Sequence, residues 1–181
     1  MASSSITYQF SKKVGEKPGA GEDFIFAYRL VAPRWAEIPL SGEGSRLYGG
    51  RWNSPGHSIV YLSTSRALAA LELLVHLTTP DSRVIPRVLI KARIPRALIC
   101  GELFQATGWR DNPPGIDSTD QGDDWLAHGR TAGVWAPSVI IPEEQNLLLN
   151  PNHPDFSKIE VVQTKPFHFD HRLSEPQSKL S

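Results

Sequence analysis

The chain has 181 residues, of which 40% are hydrophobic and 21% are charged, a composition typical of one globular domain rather than of a disordered chain. Its 19 basic and 19 acidic residues give a formal net charge of zero, which argues against a broad surface for nucleic acid. The single cysteine excludes an internal disulfide framework, and no apolar run approaches the roughly 20 residues that span a bilayer. We therefore expect a cytoplasmic protein that binds neither membrane nor nucleic acid directly.

The N-terminal part of the chain predicts a loosely held arm followed by a strand. Residues 1–23 are rich in Lys and Gly, lack the apolar core of a secretory signal, and are expected to pack poorly. The segment "FIFAYRLVA" (24–32) alternates and stops at a proline, as a strand does. The alternation places Arg29 on a face that is otherwise apolar.

A glycine-rich turn and a second strand come next. In "RLYGGRWNSPG" (46–56), two glycines precede Arg51, and a Pro-Gly pair ends any regular element. Arg51 lies where backbone and side chain together could hold a pyrophosphate, although the segment matches no standard phosphate-binding loop. An ordinary surface turn fits the same residues. "SIVYLS" (58–63) reads as a short strand.

The clearest helix in the sequence is "ALAALELLVHL" (67–77), preceded by the capping hydroxyls of "STS". Nine of its eleven residues are apolar, which predicts a helix buried nearly all round. The exceptions, Glu72 and His76, are four residues apart and lie on one side of the helix.

The rest of the chain predicts short strands, one more helix and long connections. The expected elements are strands at 87–95, 97–103, 138–142, 146–151 and 159–169, a polar loop at 108–123, a helix at 123–133, and a frayed tail at 174–181. Short strands with few helices and no regular alternation between them indicate an α+β fold in a single domain.

Glu72 and Arg29 are the first candidates for a functional site. A carboxylate in an apolar helix and a guanidinium on an apolar strand face each need a partner, because an unpaired buried charge costs several kcal/mol. An internal ion pair between them would explain both residues without any function. An anionic ligand at Arg29 is the alternative that implies a site.

Metal chemistry is not expected from this sequence. The six histidines are scattered and the chain has one cysteine, so no set of ligands has the spacing of a metal site. Ser138, which follows a proline, reads on its own as the first residue of a strand.

Several segments taken in order resemble the RES domain family, which is named for an Arg, a Glu and a Ser. Here these residues would be Arg29, Glu72 and Ser138. The resemblance extends over most of 24–173 and rests on "YRL" (28–30), "GGRWN" (49–53), "IVYLSTSRALAALELLVHL" (59–77), "PSVIIPEEQNLLLNPNHPDF" (137–156) and "FHFDHRL" (167–173).

The resemblance implies a fold, an activity and a set of site residues. The family fold resembles ADP-ribosyltransferases, with small sheets around an NAD cleft. Family members are toxins paired with an Xre-type helix-turn-helix antitoxin, and they deplete NAD by breaking its nicotinamide–ribose bond with water or phosphate. By similarity, Glu72, Arg29 and Ser138 would be catalytic, and Arg29, Arg51, Tyr61 and Ser138 would bind NAD, without a metal.

Three functions therefore remain open at the level of sequence. The first is an NAD-degrading glycohydrolase or phosphorylase, and the second is an ADP-ribosyltransferase that modifies a protein. The third is a non-enzymatic binding module in which Arg29 and Glu72 form a structural pair. The acceptor and the oligomeric state, including a homodimer, are not determined by the sequence.

Overall fold

The computed structural model describes residues 23–173, which form one mixed sheet with helices around it. The arm predicted at 1–23 lies outside these residues except for Asp23, and the tail predicted at 174–181 lies outside them entirely. The strands are β1 (Phe24–Val31), β2 (Val60–Ser63), β3 (Arg87–Pro95), β4 (Ile99–Leu103), β5 (Gly133–Pro137), β6 (Gln145–Leu149) and β7 (Glu160–Phe167). The α-helices are α1 (Glu43–Tyr48), α2 (Arg66–Leu74), α3 (Pro80–Val84) and α4 (Ile116–His128), and 3-10 turns occur at Pro33–Trp35, Arg96–Leu98, Pro154–Lys158 and His171–Leu173.

The seven strands lie in the order β4-β5-β6-β2-β1-β3-β7, and only the β4–β5 pair is parallel. The sheet narrows in the middle, because β1 and β2 share a single backbone pair, Tyr28 with Ser63. By contrast, β1 pairs with β3 along its full length. The predicted α+β class is confirmed, and the small sheets implied by the resemblance are here two parts of one sheet joined at this narrow point.

The two faces of the sheet bury different hydrophobic clusters. One cluster contains Val60, Leu62, Leu147 and Leu149, which alternate along β2 and β6. The residues between them face the other way, where Leu148 joins a second cluster of residues: Trp52, Ile59, Phe104, Val134 and Ala136. Each fully buried leucine contributes about 1.5–3 kcal/mol relative to an exposed one, so these clusters fix the register of the central strands.

Helix α2 is confirmed, but the prediction that it is buried nearly all round is wrong. It begins after Ser65, whose side chain accepts a hydrogen bond of 3.0 Å from the Leu68 N–H, and it ends at Leu74. Within the helix only Leu68 and Ala69 are buried, and Val75 beyond its end is 56% exposed. The helix lies on the outside of the sheet and contacts it along one stripe, so its remaining apolar residues face solvent or neighbouring loops.

Two predicted elements are placed differently in the structure. The polar segment predicted as a loop at 108–123 is helical from Ile116 onward, and the helix predicted at 123–133 ends at His128. This helix buries little besides Ser118 and Gly122, so its sequence lacks a strong apolar period. The strand predicted at 138–142 is wrong, because β5 occupies Gly133–Pro137 and the chain then turns.

Candidate functional site

Glu72 on α2 is held by two hydrogen bonds that converge on one carboxylate oxygen. The Ser138 hydroxyl donates to Glu72 Oε1 over 2.9 Å, and the Asn146 side-chain amide donates to the same atom over 2.6 Å. No donor among residues 23–173 bonds to the second oxygen, Oε2. Glu72 is only partly buried, so the carboxylate is fixed through one oxygen while the other can meet a ligand.

The two donors are themselves positioned by strand ends. Ser138 is fully buried just after β5, where its hydroxyl oxygen accepts hydrogen bonds from the backbone N–H groups of Ile140 (3.2 Å) and Ile141 (3.1 Å). Asn146 on β6 lies opposite Ser63 on β2, and the Ser63 hydroxyl donates to Asn146 Oδ1 over 2.7 Å. This bond fixes which end of the amide points at Glu72.

Asn146 is a residue of the candidate site that the sequence analysis missed. It stands in "QNLLL", directly before three buried leucines, and an amide inside such a buried strand is the signal that could have identified it. Its partners Ser63 and Glu72 come from distant parts of the chain, so only the pairing of β2 with β6 brings them together. Ser63, Glu72, Ser138 and Asn146 are called the Glu72 network below.

The turn at 50–53 is built around the Tyr61 hydroxyl. This hydroxyl donates to Asn53 Oδ1 over 2.7 Å and accepts from the Trp52 backbone N–H over 3.1 Å. Burial raises the pKa of Tyr61, so the phenol stays neutral. A Cβ on Gly50 would lie 2.5 Å from this hydroxyl, which explains why glycine precedes Arg51.

Helix α4 packs directly against the same turn. A Cβ at Gly122 would collide with the backbone carbonyl of Trp52, so only glycine allows this approach. The carboxylate of Asp123 accepts a 3.1 Å hydrogen bond from the Ser54 backbone N–H. The buried Trp52 ring packs on Phe104, with ring centroids 5.2 Å apart. These contacts therefore fix the position of the turn that carries Arg51.

Arg51 is tied to a loop and lies within the electrostatic reach of Glu72. Its Nη1 donates to the carbonyl oxygens of Trp109 (2.6 Å) and Asp111 (2.8 Å). Burial lowers the pKa of Arg51, and the charge of Glu72 opposes that effect more than any other group. The guanidinium therefore remains charged near the carboxylate, with donors that these two bonds do not use.

Arg29 on β1 forms no ion pair with Glu72, so the predicted alternative of an internal pair between them is wrong. Its Nε is buried and has no hydrogen-bond partner among the described residues. Burial lowers the pKa of Arg29 to about 10, so it is still a cation at neutral pH. Because strand side chains alternate, Arg29 leaves β1 on the face opposite to Tyr28, the residue paired with Ser63.

The structure thus brings together most of the residues named from the sequence, but not all of them. Glu72 and Ser138 are in direct contact, Arg51 lies near Glu72, and Tyr61 holds the turn that carries Arg51. Arg29 contacts none of these side chains through a hydrogen bond or an ion pair. Within residues 23–173, no group of three or more His, Cys, Asp or Glu side chains is arranged to hold a metal ion, and no helix there is long and apolar enough to cross a membrane.

The chain is similar to proteins that are named as toxins. It is 39% identical over 139 residues to the "Prs ADP-ribosylating toxin" of Sphingobium sp. strain YBL2, an alignment that covers 74% of this chain and 86% of the relative. It is 37% identical over 153 residues to a "Toxin Res" of Yersinia enterocolitica, covering 82% of this chain and 99% of the relative.

Among solved structures, the chain resembles one from the MbcT–MbcA toxin–antitoxin complex of M. tuberculosis. The match has a TM-score of 0.63 with 18% sequence identity and covers 84% of this chain and 88% of the other, which establishes a shared fold. The model of the RES domain matches residues 26–170, a span that contains Arg29, Glu72, Ser138 and the turn at 50–53. The chain therefore belongs to the RES domain family.

Proposed function

We propose that this chain is the toxin of a toxin–antitoxin pair and that it breaks the nicotinamide–ribose bond of NAD, with water or phosphate as acceptor. The observation that carries the proposal is the way Glu72 is held. Two donors fix one carboxylate oxygen and leave Oε2 available, on a side chain that is only partly buried. A rigid anion with one open oxygen is the group that a developing positive charge on ribose requires.

The chemistry of NAD suits a site with one carboxylate. When the bond between ribose C1′ and the pyridinium nitrogen breaks, the electron pair goes to the ring, and nicotinamide leaves as a neutral molecule without a proton. The ribose becomes oxocarbenium-like, and the nearby negative charge of Glu72 stabilises it. The oxygen of water or phosphate then bonds to C1′, and water loses its proton to solvent.

Binding of the dinucleotide would depend on the two arginines. Arg51 is a charged group close to Glu72, with donors that the Trp109 and Asp111 carbonyls do not use, and it would bind the pyrophosphate. The buried Nε of Arg29 has no partner among the described residues, but Arg29 leaves β1 on the face opposite to Tyr28 and Ser63, so its contact with the same dinucleotide is proposed from the family resemblance. Ser138 would position Glu72 directly, and Tyr61 would act by holding the turn that presents Arg51.

A second candidate is transfer of ADP-ribose to a protein, because the Sphingobium relative is named an ADP-ribosylating toxin. The bond that breaks is the same, and only the acceptor differs. The non-enzymatic alternative loses the Arg29–Glu72 pair with which it was argued. An antitoxin partner is supported by the neighbour from a toxin–antitoxin complex, and its Xre-type helix-turn-helix character rests on the family resemblance.

Purified wild-type protein incubated with NAD tests this proposal. Nicotinamide should appear together with ADP-ribose in buffer, or with a phosphorylated ADP-ribose when phosphate is present, as measured by liquid chromatography and mass spectrometry. Labelled NAD in a bacterial lysate distinguishes the second candidate, because only transfer leaves label on a protein band. If folded protein releases no nicotinamide in buffer, phosphate or lysate, the proposal is wrong.

A further inference from the structure

One face of the sheet carries a row of aromatic side chains that lie beneath cations. Phe24, Phe26 and Tyr28 alternate along β1 and therefore point to the same face, away from the cluster that buries Ala27. Each of their rings has a cation over it, 3.8–4.9 Å from the ring centroid: Arg93 over Phe24, Lys91 over Phe26 and Arg66 over Tyr28. Arg66, Lys91 and Arg93 are called the cation row below.

The cation row is accessible to a partner. Arg66 is exposed, Lys91 and Arg93 are partly exposed, and Phe26 beneath Lys91 is 45% exposed. Because the Phe26 ring keeps almost half of its surface exposed, no element within residues 23–173 covers this part of the sheet. Aromatic rings and arginines are enriched where proteins contact one another, so the composition of this face is that of an interaction surface.

Most of the positive charge on this face has no anionic partner among the described residues. Arg93 donates to Glu160 over 2.8 Å, whereas Arg66 and Lys91 form no salt bridge within residues 23–173. The exposed Lys165 of β7 adds a further cation to the same face, because it is paired with the β3 residue two positions before Lys91. Since the whole chain has no net charge, this face is a local excess of positive charge that favours an acidic partner.

The spacing of the cation row indicates the form of this partner. The three rings belong to alternate residues of one strand, so the cations over them recur about every 6.8 Å. An extended peptide presents alternate side chains on one side at the same interval. Its carboxylates would accept hydrogen bonds from the N–H groups of the cations. Nucleic acid bases would instead stack on aromatic rings, and the cations already lie over these rings.

We propose that this face binds an extended acidic segment of a partner protein, whose carboxylates at alternate positions contact the cation row. The proposal does not depend on the proposed reaction, because the cation row and the Glu72 network share no residue. The two are nevertheless neighbours, since Tyr28 pairs with Ser63. A segment bound along the cation row would therefore end beside the Glu72 network.

NMR titration of isotope-labelled protein tests the proposal with three synthetic probes. The first is a hexapeptide that alternates Glu and Thr, and the second has the same composition with its three Glu residues in succession. The third is a hexamer of thymidine, which represents single-stranded nucleic acid. The alternating peptide should shift backbone amide signals of β1 and β3, and it should bind at least about fivefold more tightly than the second peptide, because its carboxylates match the spacing of the cations.

Two double variants assign this preference to the cation row. Arg66→Gln, Lys91→Gln should lose it, whereas Arg34→Gln, Arg110→Gln should keep it, because that control removes two cations that lie over tryptophan rings elsewhere. Equal binding of the two peptides to wild type, shifts confined to other strands, or tighter binding of the thymidine hexamer would overturn the proposal. So would a preference that persists in folded Arg66→Gln, Lys91→Gln. The wild-type comparison decides the matter even if that variant does not fold.

Discussion

The fold gives Glu72 and Arg29, the two charged residues with apolar sequence neighbours, opposite surroundings. Glu72 is surrounded by donors from two other elements, which fix one of its oxygens through Ser138 and Asn146. Arg29 is equally out of place on its strand, yet its Nε is buried without any partner in the described part of the chain. The protein supplies hydrogen-bond donors to the Glu72 carboxylate, but its described residues supply no acceptor to the Arg29 Nε.

This difference bears on function because the protein itself positions Glu72, whereas Arg29 would gain a partner only from a ligand. A carboxylate held by neutral donors keeps its charge and its geometry without being neutralised by a cation. A partly buried cation without a carboxylate is an unfavourable feature of the free protein that an anionic ligand would relieve. The absence of an ion pair between Arg29 and Glu72 thus removes that pair as the explanation for both residues.

The largest expected effect comes from releasing Glu72 from its donors. The double variant Ser138→Ala, Asn146→Leu should lower the rate of nicotinamide release about 100-fold to 1,000-fold, because the carboxylate loses the geometry that its charge requires. The control is Thr64→Ala, whose hydroxyl bonds a backbone carbonyl on the neighbouring strand and does not contact Glu72. Equal rates in the double variant and the control would show that the network does not position the carboxylate.

Loss of the Tyr61 hydroxyl should mainly reduce stability. Tyr61→Phe leaves Asn53 Oδ1 and the Trp52 N–H without their shared partner, at a cost of about 1–3 kcal/mol in the free energy of unfolding. Denaturant titration measures this value. Tyr48→Phe is the matched control, because Tyr48 is 81% exposed and should change stability very little. A Tyr61→Phe variant as stable as this control would contradict the role assigned to the hydroxyl.

Arg29→Met should change stability and binding in opposite directions. Removing a partly buried charge that has no ionic partner should raise the free energy of unfolding by about 1 kcal/mol in the absence of ligand. The same change should weaken NAD binding at least about tenfold, because a charge-assisted hydrogen bond is lost. Calorimetry and denaturant titration measure the two quantities, with Arg29→Lys as the variant that keeps the charge. A stabilised variant that binds NAD as wild type does would remove Arg29 from the binding site.

The smallest expected effect is on the pH dependence of the free energy of unfolding. The raised pKa of Tyr61 means that its phenol ionises more readily in the unfolded chain than in the folded one. The associated stability is complete below the unfolded pKa of about 10 and is lost as pH rises through the folded value. Denaturant titrations between about pH 9 and pH 11 should therefore show a steeper loss for wild type than for Tyr61→Phe. Parallel losses would contradict the buried, neutral phenol.

The sequence identified the residues that conflict with their local surroundings. Glu72 lies in an otherwise apolar helix and Arg29 on an otherwise apolar strand face, and both features can be recognised from the sequence alone. Asn146 was missed because its partners come from β2 and α2, and no local pattern connects them. The start of α4 was missed for a similar reason. This helix contacts Trp52 through Gly122, so it needs no apolar stripe to pack there, and its first turns are polar in sequence.

The most direct test of the central claim is the rate of nicotinamide release from NAD by Glu72→Gln. The glutamine side chain keeps the shape and an acceptor for Ser138 and Asn146, so the fold and NAD binding should be retained while the negative charge is lost. The account predicts a rate at least about 100-fold below wild type at saturating NAD. A rate within about twofold of wild type would show that Glu72 is not the group that stabilises the ribose cation.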